Sequence, residues 1–320
     1  MRCLCCGKKL GQNASEKEVR VSWHTKCIMN FFGSEIMPEI RLDTNALEDH
    51  AKSGVDAGVS VTGVQKKISL GFSKTGKNRL TMVDYPAGYI LKPQTHEYPY
   101  LPEFEYLAMR MAKIAGIKTV PFALIKENDE LAYITTRIDR SRPGEETVKF
   151  AMEDFCQLAG KMTFDKYKGS YELCARIVKS FSSQKGLDLS EIFIRVVFSY
   201  MVGNSDMHLK NFSLIEREPS GRDFMLSPAY DILPVNVILP DDKDETALAV
   251  NGKKRNLRRK DFTAFAESCD LNKKTADKII DKLCSYRDKY IDECNNSLLP
   301  DDLIEKETKL IEKRIGKLLL

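Results

Sequence analysis

Apolar residues change their period near Asp139, and that switch limits the chain to a few architectures. Upstream they alternate with polar residues. Val59 and Val61, then Ile68, Leu70 and Phe72, flank a turn at Thr62 and Gly63 and read as a β-hairpin. Residues 80–83 and 89–92, joined across Pro86, Ala87 and Gly88, read as a second hairpin. Residues 120–125 and 131–138 read as two more strands around Glu127, Asn128 and Asp129. One helix interrupts the strands: Phe104, Leu107, Ala108, Met111, Ile114 and Ala115 share a face over 103–115, and Gly116 ends it. Downstream the spacing is helical over 153–161, 169–182, 189–201, 261–269, 273–295 and 300–318. Asp188 followed by Glu191 gives the third of these a capping-box start. A sheet with one helix, followed by helices, is an α+β fold. The 320 residues exceed the roughly 100–200 of one domain, so a bilobal chain is expected. Its parts are a cysteine-rich module at 1–40, a β-rich lobe at 41–140 and a helical lobe at 141–320.

Charged residues at 30% and hydrophobic ones at 42% exclude wholesale disorder. No apolar run reaches about 18 residues, so no membrane span is expected. The N-terminus is too polar and too rich in cysteine for a signal peptide, and a cytoplasmic protein is expected. Lys and Arg exceed Asp and Glu by only 50 − 46 = 4, spread along the chain, so no direct DNA binding is expected. Of nine cysteines, Cys156, Cys174, Cys269, Cys284 and Cys294 are scattered and read as buried thiols in a reducing compartment.

The chemistry concentrates at residues 202–212, a polar loop after a long apolar helix, where scaffolds commonly carry catalytic groups. Asp206 and Asn211 have the spacing of a kinase catalytic loop, in which the Asp takes the acceptor hydroxyl proton and the Asn helps hold Mg²⁺. On the loop alone, turn formation explains both residues equally well. Asp231 follows a strand-like segment at 224–226 and supplies a second hard oxygen ligand. Lys92 ends a strand, and Glu105 lies on the helix of the same lobe, so a strand-Lys to helix-Glu pair is available. Ser60, Val61, Thr62 and Gly63 form a turn whose amides can cradle phosphate. Its one glycine does not make a Gly-rich loop motif. His208 reads as a hydrogen-bonding brace of the loop at the nucleotide site.

Read together, SVTGVQKKISL (60–70), YILKP (89–93), PEFEYLAMRMAKIAG (102–116), TRIDR (136–140), GNSDMHLKNFSL (203–214) and LSPAYDIL (226–233) resemble the HipA family. These are bacterial serine/threonine kinases, the toxins of type II toxin–antitoxin pairs. The resemblance implies a protein-kinase-like fold that uses ATP and Mg²⁺. It makes Lys92 the contact to ATP phosphates, Asp206 the catalytic base, and Asn211 and Asp231 the Mg²⁺ ligands. The hinge at Thr136, Ile138 and Asp139 meets the nucleoside. Autophosphorylation of the phosphate loop falls on Ser60 or Thr62, where about two added negative charges repel ATP. The chain is closer to the short, HipT-like form, because little room precedes the phosphate loop for the subdomain of the long form. Implied partners are a HipB-like DNA-binding antitoxin, a separate HipS-like small protein, and a substrate such as an aminoacyl-tRNA synthetase. A kinase-shaped module without catalysis and a kinase of lipids or small molecules are the competing readings.

Cys3 and Cys6, then His24 and Cys27, have the paired spacings of a zinc-ribbon-like site. A Cys₃His set binds Zn²⁺ tetrahedrally and can fold a segment too short for its own core. Cys5 can stand in for Cys3 or Cys6, and Trp23 can shield the site. The site reads as structural and as a place for an antitoxin to dock. The basic run at 253–260 reads as a solvated loop or as a surface for an acidic or tRNA-bearing partner.

Overall fold

The structure, a computed structural model, describes residues 1–41, 65–72, 79–82, 88–127, 130–141 and 148–320. The chain divides into two units, Met1–Tyr106 with Val120–Lys149 and Leu107–Thr119 with Phe150–Leu320. The elements are α+β, as the change of period requires.

The first unit opens with the short helices α1 (Glu16–Val21) and α2 (Thr25–Phe32). Ser15 and Glu18 form a reciprocal capping box on α1. The Glu18 carboxylate also accepts the Thr25 amide, which helps hold its pKa down at about 2. The strands are β1 (Glu39–Arg41), β2 (Ile68–Phe72), β3 (Arg79–Met82), β4 (Tyr89–Lys92), β5 (Phe122–Glu127) and β6 (Glu130–Thr136), and helix α3 (Leu101–Ile114) lies between β4 and β5 in sequence. The sheet order is β1-β3-β2-β4-β6-β5, antiparallel except for β1 against β3. Residues 120–125 and 131–138 thus become the hairpin β5-β6. The expected hairpin of 80–83 with 89–92 does not form: β2 lies between β3 and β4 and bonds to both. Alternation identifies a strand but not its neighbour. The expected pairing of Val59 and Val61 lies outside the described residues.

In the second unit, β7 (Met152–Asp154), β8 (Ser213–Glu216) and β9 (Phe224–Leu226) form a small antiparallel sheet. The helices are α4 (Phe155–Leu158), α5 (Tyr171–Phe181), α6 (Lys185–Met201), α7 (Val235–Ile238), α8 (Arg259–Ser268), α9 (Lys273–Cys284), α10 (Arg287–Asn295) and α11 (Asp301–Leu319). The expected helix at 273–295 is two helices broken at Ser285 and Tyr286. The expected capping box at Asp188 is absent, because α6 starts earlier and Asp188 sits inside its first turn. Its buried carboxylate instead accepts the Ser182 hydroxyl at 2.6 Å and the Leu226 amide at 2.7 Å, tying α6 to β9. The five scattered cysteines are all buried free thiols. Among the described residues, no helix is long and apolar enough to cross a membrane.

Candidate functional site

In the first unit, Tyr89 and Leu91 are fully buried in β4, and the strand ends at Lys92. Lys92 Nζ donates to both carboxylate oxygens of Glu105, at 2.7 and 2.8 Å, and lies 5.4 Å from the centre of the Tyr133 ring. Lys92 is 4% exposed and Glu105 2%. Burying one charge is expensive unless a partner sits in good geometry, and the bidentate contact supplies it. The pair expected from sequence is therefore present. Beyond β6, both Arg137 and Arg140 grip the Asp139 carboxylate, at 3.0 and 2.7 Å. Thr136 ends the strand, and Ile138 lies in the bend that follows. Ser60, Val61, Thr62 and Gly63 lie outside the described residues.

In the second unit, α6 gives way to the loop at Gly203. Its φ is +73°, so the turn favours glycine, and a Cβ there would sit 3.0 Å from Leu310 Cδ2 and press on that side chain. Asn204 Oδ1 accepts the Asp206 amide, and the Asp206 carbonyl accepts both the His208 amide at 2.8 Å and Asn211 Nδ2 at 2.9 Å. The five-residue spacing thus closes on itself as a hydrogen-bonded loop. Asn211's nitrogen is committed to that bond, and its Oδ1 is a hard oxygen of the kind that could hold Mg²⁺. The Tyr167 hydroxyl donates to Asp206 Oδ1, and its ring meets His208 edge-on at 5.0 Å.

Strands β8 and β9 bring the second acid to the same end of a hairpin as Asn211. Asn211 lies just before β8 and Asp231 just after β9, with the Ser227 amide donating to the Ser213 carbonyl at 2.8 Å. Tyr230 OH donates to the Lys210 carbonyl at 3.2 Å, so the 2.5 Å contact to Ser213 Oγ uses the serine proton. That hydroxyl staples the residue before Asn211 to the residue before Asp231. Asp231 has a φ of +59°, a left-handed conformation that Asp tolerates better than most residues. Arg195, fully buried, donates to the Ser227 carbonyl at 2.8 Å and to Glu191 at 2.8 Å. Tyr167, Tyr230 and Arg195 escape sequence reasoning because each acts on a partner distant in the chain. Asp206, Asn211 and Asp231 could thus serve as a base and a metal-holding amide and carboxylate.

At the N-terminus, one ligand atom from each of Cys3, Cys6, His24 and Cys27 lies within 4.8 Å of all the others. His24 Nδ1 is 3.4 Å from Cys6 Sγ and 3.8 Å from Cys27 Sγ, close to the edges of about 3.5 Å expected for a Zn²⁺ tetrahedron. His24 Nε2 lies 3.3 Å from the Lys9 carbonyl, the outer contact that fixes a ligating imidazole. The donor set fits zinc. Cys5 is not in the cluster; its carbonyl accepts the Tyr106 hydroxyl instead. Trp23 is fully buried and donates to the Leu124 carbonyl. The basic run at 253–260 is largely paired: Lys253 with Asp261, Arg255 with Asp244, and Arg259 with Asp277 and Asp281.

A Haemophilus influenzae protein named "Putative kinase" is 28% identical over 287 residues, covering 82% of both chains. The serine/threonine-protein kinase toxin HipA of Shewanella oneidensis is 26% identical over 213 residues, 60% of this chain and 47% of that protein. Among solved structures, the Shewanella oneidensis HipA in a complex with HipB and operator DNA matches with a TM-score of 0.72. That match has 17% identity and covers 87% of this chain and 71% of that one. The fold is therefore that of these kinases. The sequence profile of the HipA-like C-terminal domain matches residues 59–289, well over half the chain and including every loop described above outside the cysteine cluster, and the protein belongs to the HipA-like family.

Proposed function

We propose that the protein is an ATP- and Mg²⁺-dependent serine/threonine protein kinase acting as the toxin of a toxin–antitoxin pair in the cytoplasm. The observation that carries this reading is the buried bidentate pair of Lys92 and Glu105. A buried ion pair adds little to stability, whereas a cation held by a helix glutamate is what kinases use on nucleotide phosphates. ATP brings the transferable phosphoryl group, and Mg²⁺ neutralises the charge that develops on it. Asp206 then orients the acceptor hydroxyl and takes its proton. Asn211 and Asp231 hold Mg²⁺ by hard oxygens, and residues 136–139 meet the nucleoside.

Self-modification at Ser60 or Thr62 belongs to the same reading, as do a HipB-like antitoxin, a HipS-like small partner and a substrate such as an aminoacyl-tRNA synthetase. The Shewanella oneidensis complex of HipA with HipB and operator DNA supports the HipB-like partner, and the others rest on the family resemblance of residues 60–70 and 203–214. Cys3, Cys6, His24 and Cys27 hold a structural Zn²⁺ in this account, supported by the ligand spacing.

Transfer from γ-labelled ATP tests the proposal, with protein acceptors and protein-free lipid acceptors compared in the presence and absence of Mg²⁺. Label on protein that needs Mg²⁺ and vanishes in Asp206→Asn supports it. Robust transfer to lipid alone would move the assignment to a lipid kinase. A toxic effect untouched by Asp206→Asn would make the chain a binding module.

A further inference from the structure

The cysteine cluster and the Lys92–Glu105 pair are joined by hydrogen bonds at both ends. Tyr106 follows Glu105 on α3, and its hydroxyl donates at 3.3 Å to the carbonyl of Cys5, inside the loop between Cys3 and Cys6. Tyr89 begins the strand that Lys92 ends, and its hydroxyl donates at 3.2 Å to the carbonyl of Phe31 on α2, the helix that carries Cys27. The rings of Phe31 and Phe32 lie 5.9 and 5.5 Å from that of Tyr89. The edge strand β5 adds a third connection, because Leu124 donates its amide to Leu4 and accepts the Trp23 indole at its carbonyl. The 3–6 loop and the helix that carries Cys27 therefore each hold one of the two elements that present the ion pair.

We infer that metal at Cys3, Cys6, His24 and Cys27 sets the position of Lys92 and Glu105, so that metal occupancy governs the nucleotide affinity of this kinase. The nucleotide half of this inference rests on the function proposed above. Helix α1 has six residues and buries none of them, whereas α2 buries Ile28, Phe31 and Phe32 and the Leu4 amide donates to the Ser22 carbonyl at 2.8 Å, so the metal adds a tighter clamp to two ligand segments that already meet. When the metal leaves, the Cys5 carbonyl, between two ligands, is loosened most and with it the acceptor of Tyr106, while the Phe31 carbonyl, on a helix packed against Trp23 and Tyr89, is loosened less. A bidentate contact inside a buried pair tolerates little displacement. Coupling of this kind is reciprocal, so nucleotide also tightens the hold on metal. Tyr89 and Tyr106 are positioning residues that touch neither metal nor nucleotide.

The test is hydrogen exchange on the full-length protein in three states: zinc-loaded, chelator-stripped, and stripped then reloaded with Zn²⁺. Zinc content is measured in each. The inference expects faster exchange at 89–92 and 101–106 in the stripped form, restored by Zn²⁺. It also expects Mg-ATP affinity about five- to a hundredfold weaker without metal. Faster exchange confined to residues 1–36, or a protein that takes up no zinc, overturns it. Tyr106→Phe separates coupling from unfolding of the module. That variant should keep its zinc, exchange faster at 101–106 and bind Mg-ATP about fivefold more weakly, the worth of one hydrogen bond. Unchanged exchange at 101–106 in Tyr106→Phe removes the Cys5 route. If zinc-loaded wild type binds no Mg-ATP, the kinase reading fails, while the exchange pattern still decides whether metal and ion pair are coupled.

Discussion

Lys92 Nζ sits 2.7 and 2.8 Å from the two oxygens of Glu105, and both side chains are almost wholly withdrawn from water. Removing one partner takes the bidentate contact from a buried charge. Glu105→Ala should destabilise the protein by about 3–5 kcal/mol, whereas the apolar pair Lys92→Met with Glu105→Leu should cost much less. Urea denaturation of the single and double variants measures both. The double variant should nevertheless lose phosphoryl transfer, separating the pair's role in function from its role in stability.

Tyr167 donates its hydroxyl proton to Asp206 Oδ1 and packs its ring edge-on against His208. A hydrogen bond to a charged group is worth about 1.5–3 kcal/mol. Tyr167→Phe should therefore lower kcat roughly tenfold or more and leave KM for ATP nearly unchanged. Steady-state kinetics at varied ATP checks this. A rise in KM with kcat intact would assign Tyr167 to nucleotide binding instead.

Arg195 is buried in α6 and donates to the Ser227 carbonyl, four residues before Asp231. Arg195→Leu leaves that carbonyl unsatisfied, at a cost of about 1–3 kcal/mol, and loosens the segment that carries the carboxylate. The expected kinetic result is a several-fold higher Mg²⁺ concentration for half-maximal transfer, read from a Mg²⁺ titration.

Glu307 on α11 is fully buried, and neither of its carboxyl oxygens has a hydrogen-bond partner among the described residues. Burial holds its pKa well above the ordinary 4.5. A folded-state pKa raised above the unfolded one gives stability that is complete below about 4.5 and is lost as pH climbs toward the raised value. Glu307→Met should therefore be more stable than wild type by an amount on the order of 1 kcal/mol near pH 8, and the difference should shrink toward pH 4. Thermal denaturation across that range is the check.

How much of this was legible in the sequence depends on the distance over which each residue acts. Asp206 and Asn211 declare themselves because their partners are five residues apart, and Cys3, Cys6, His24 and Cys27 because metal ligands come at short spacings. Lys92 and Glu105 could be offered as a pair, since a strand end and a helix fix their residue types. Tyr167, Tyr230 and Arg195 carry no local signature, because a tyrosine hydroxyl or a guanidinium finds its acceptor only once the chain has folded. The same limit explains β3 and β4. Each strand is visible in its alternation, but only the packed sheet puts β2 between them. Asp188 shows the converse, in that a capping pattern was present while a buried amide of β9 made the stronger claim on the carboxylate.

The most direct test of the kinase assignment is intact mass and peptide mapping of the full-length protein before and after Mg-ATP, beside Asp206→Asn. The account predicts that wild type gains phosphate on Ser60 or Thr62 and that the variant gains none. A wild type that gains no phosphate and transfers none to any protein acceptor would contradict it.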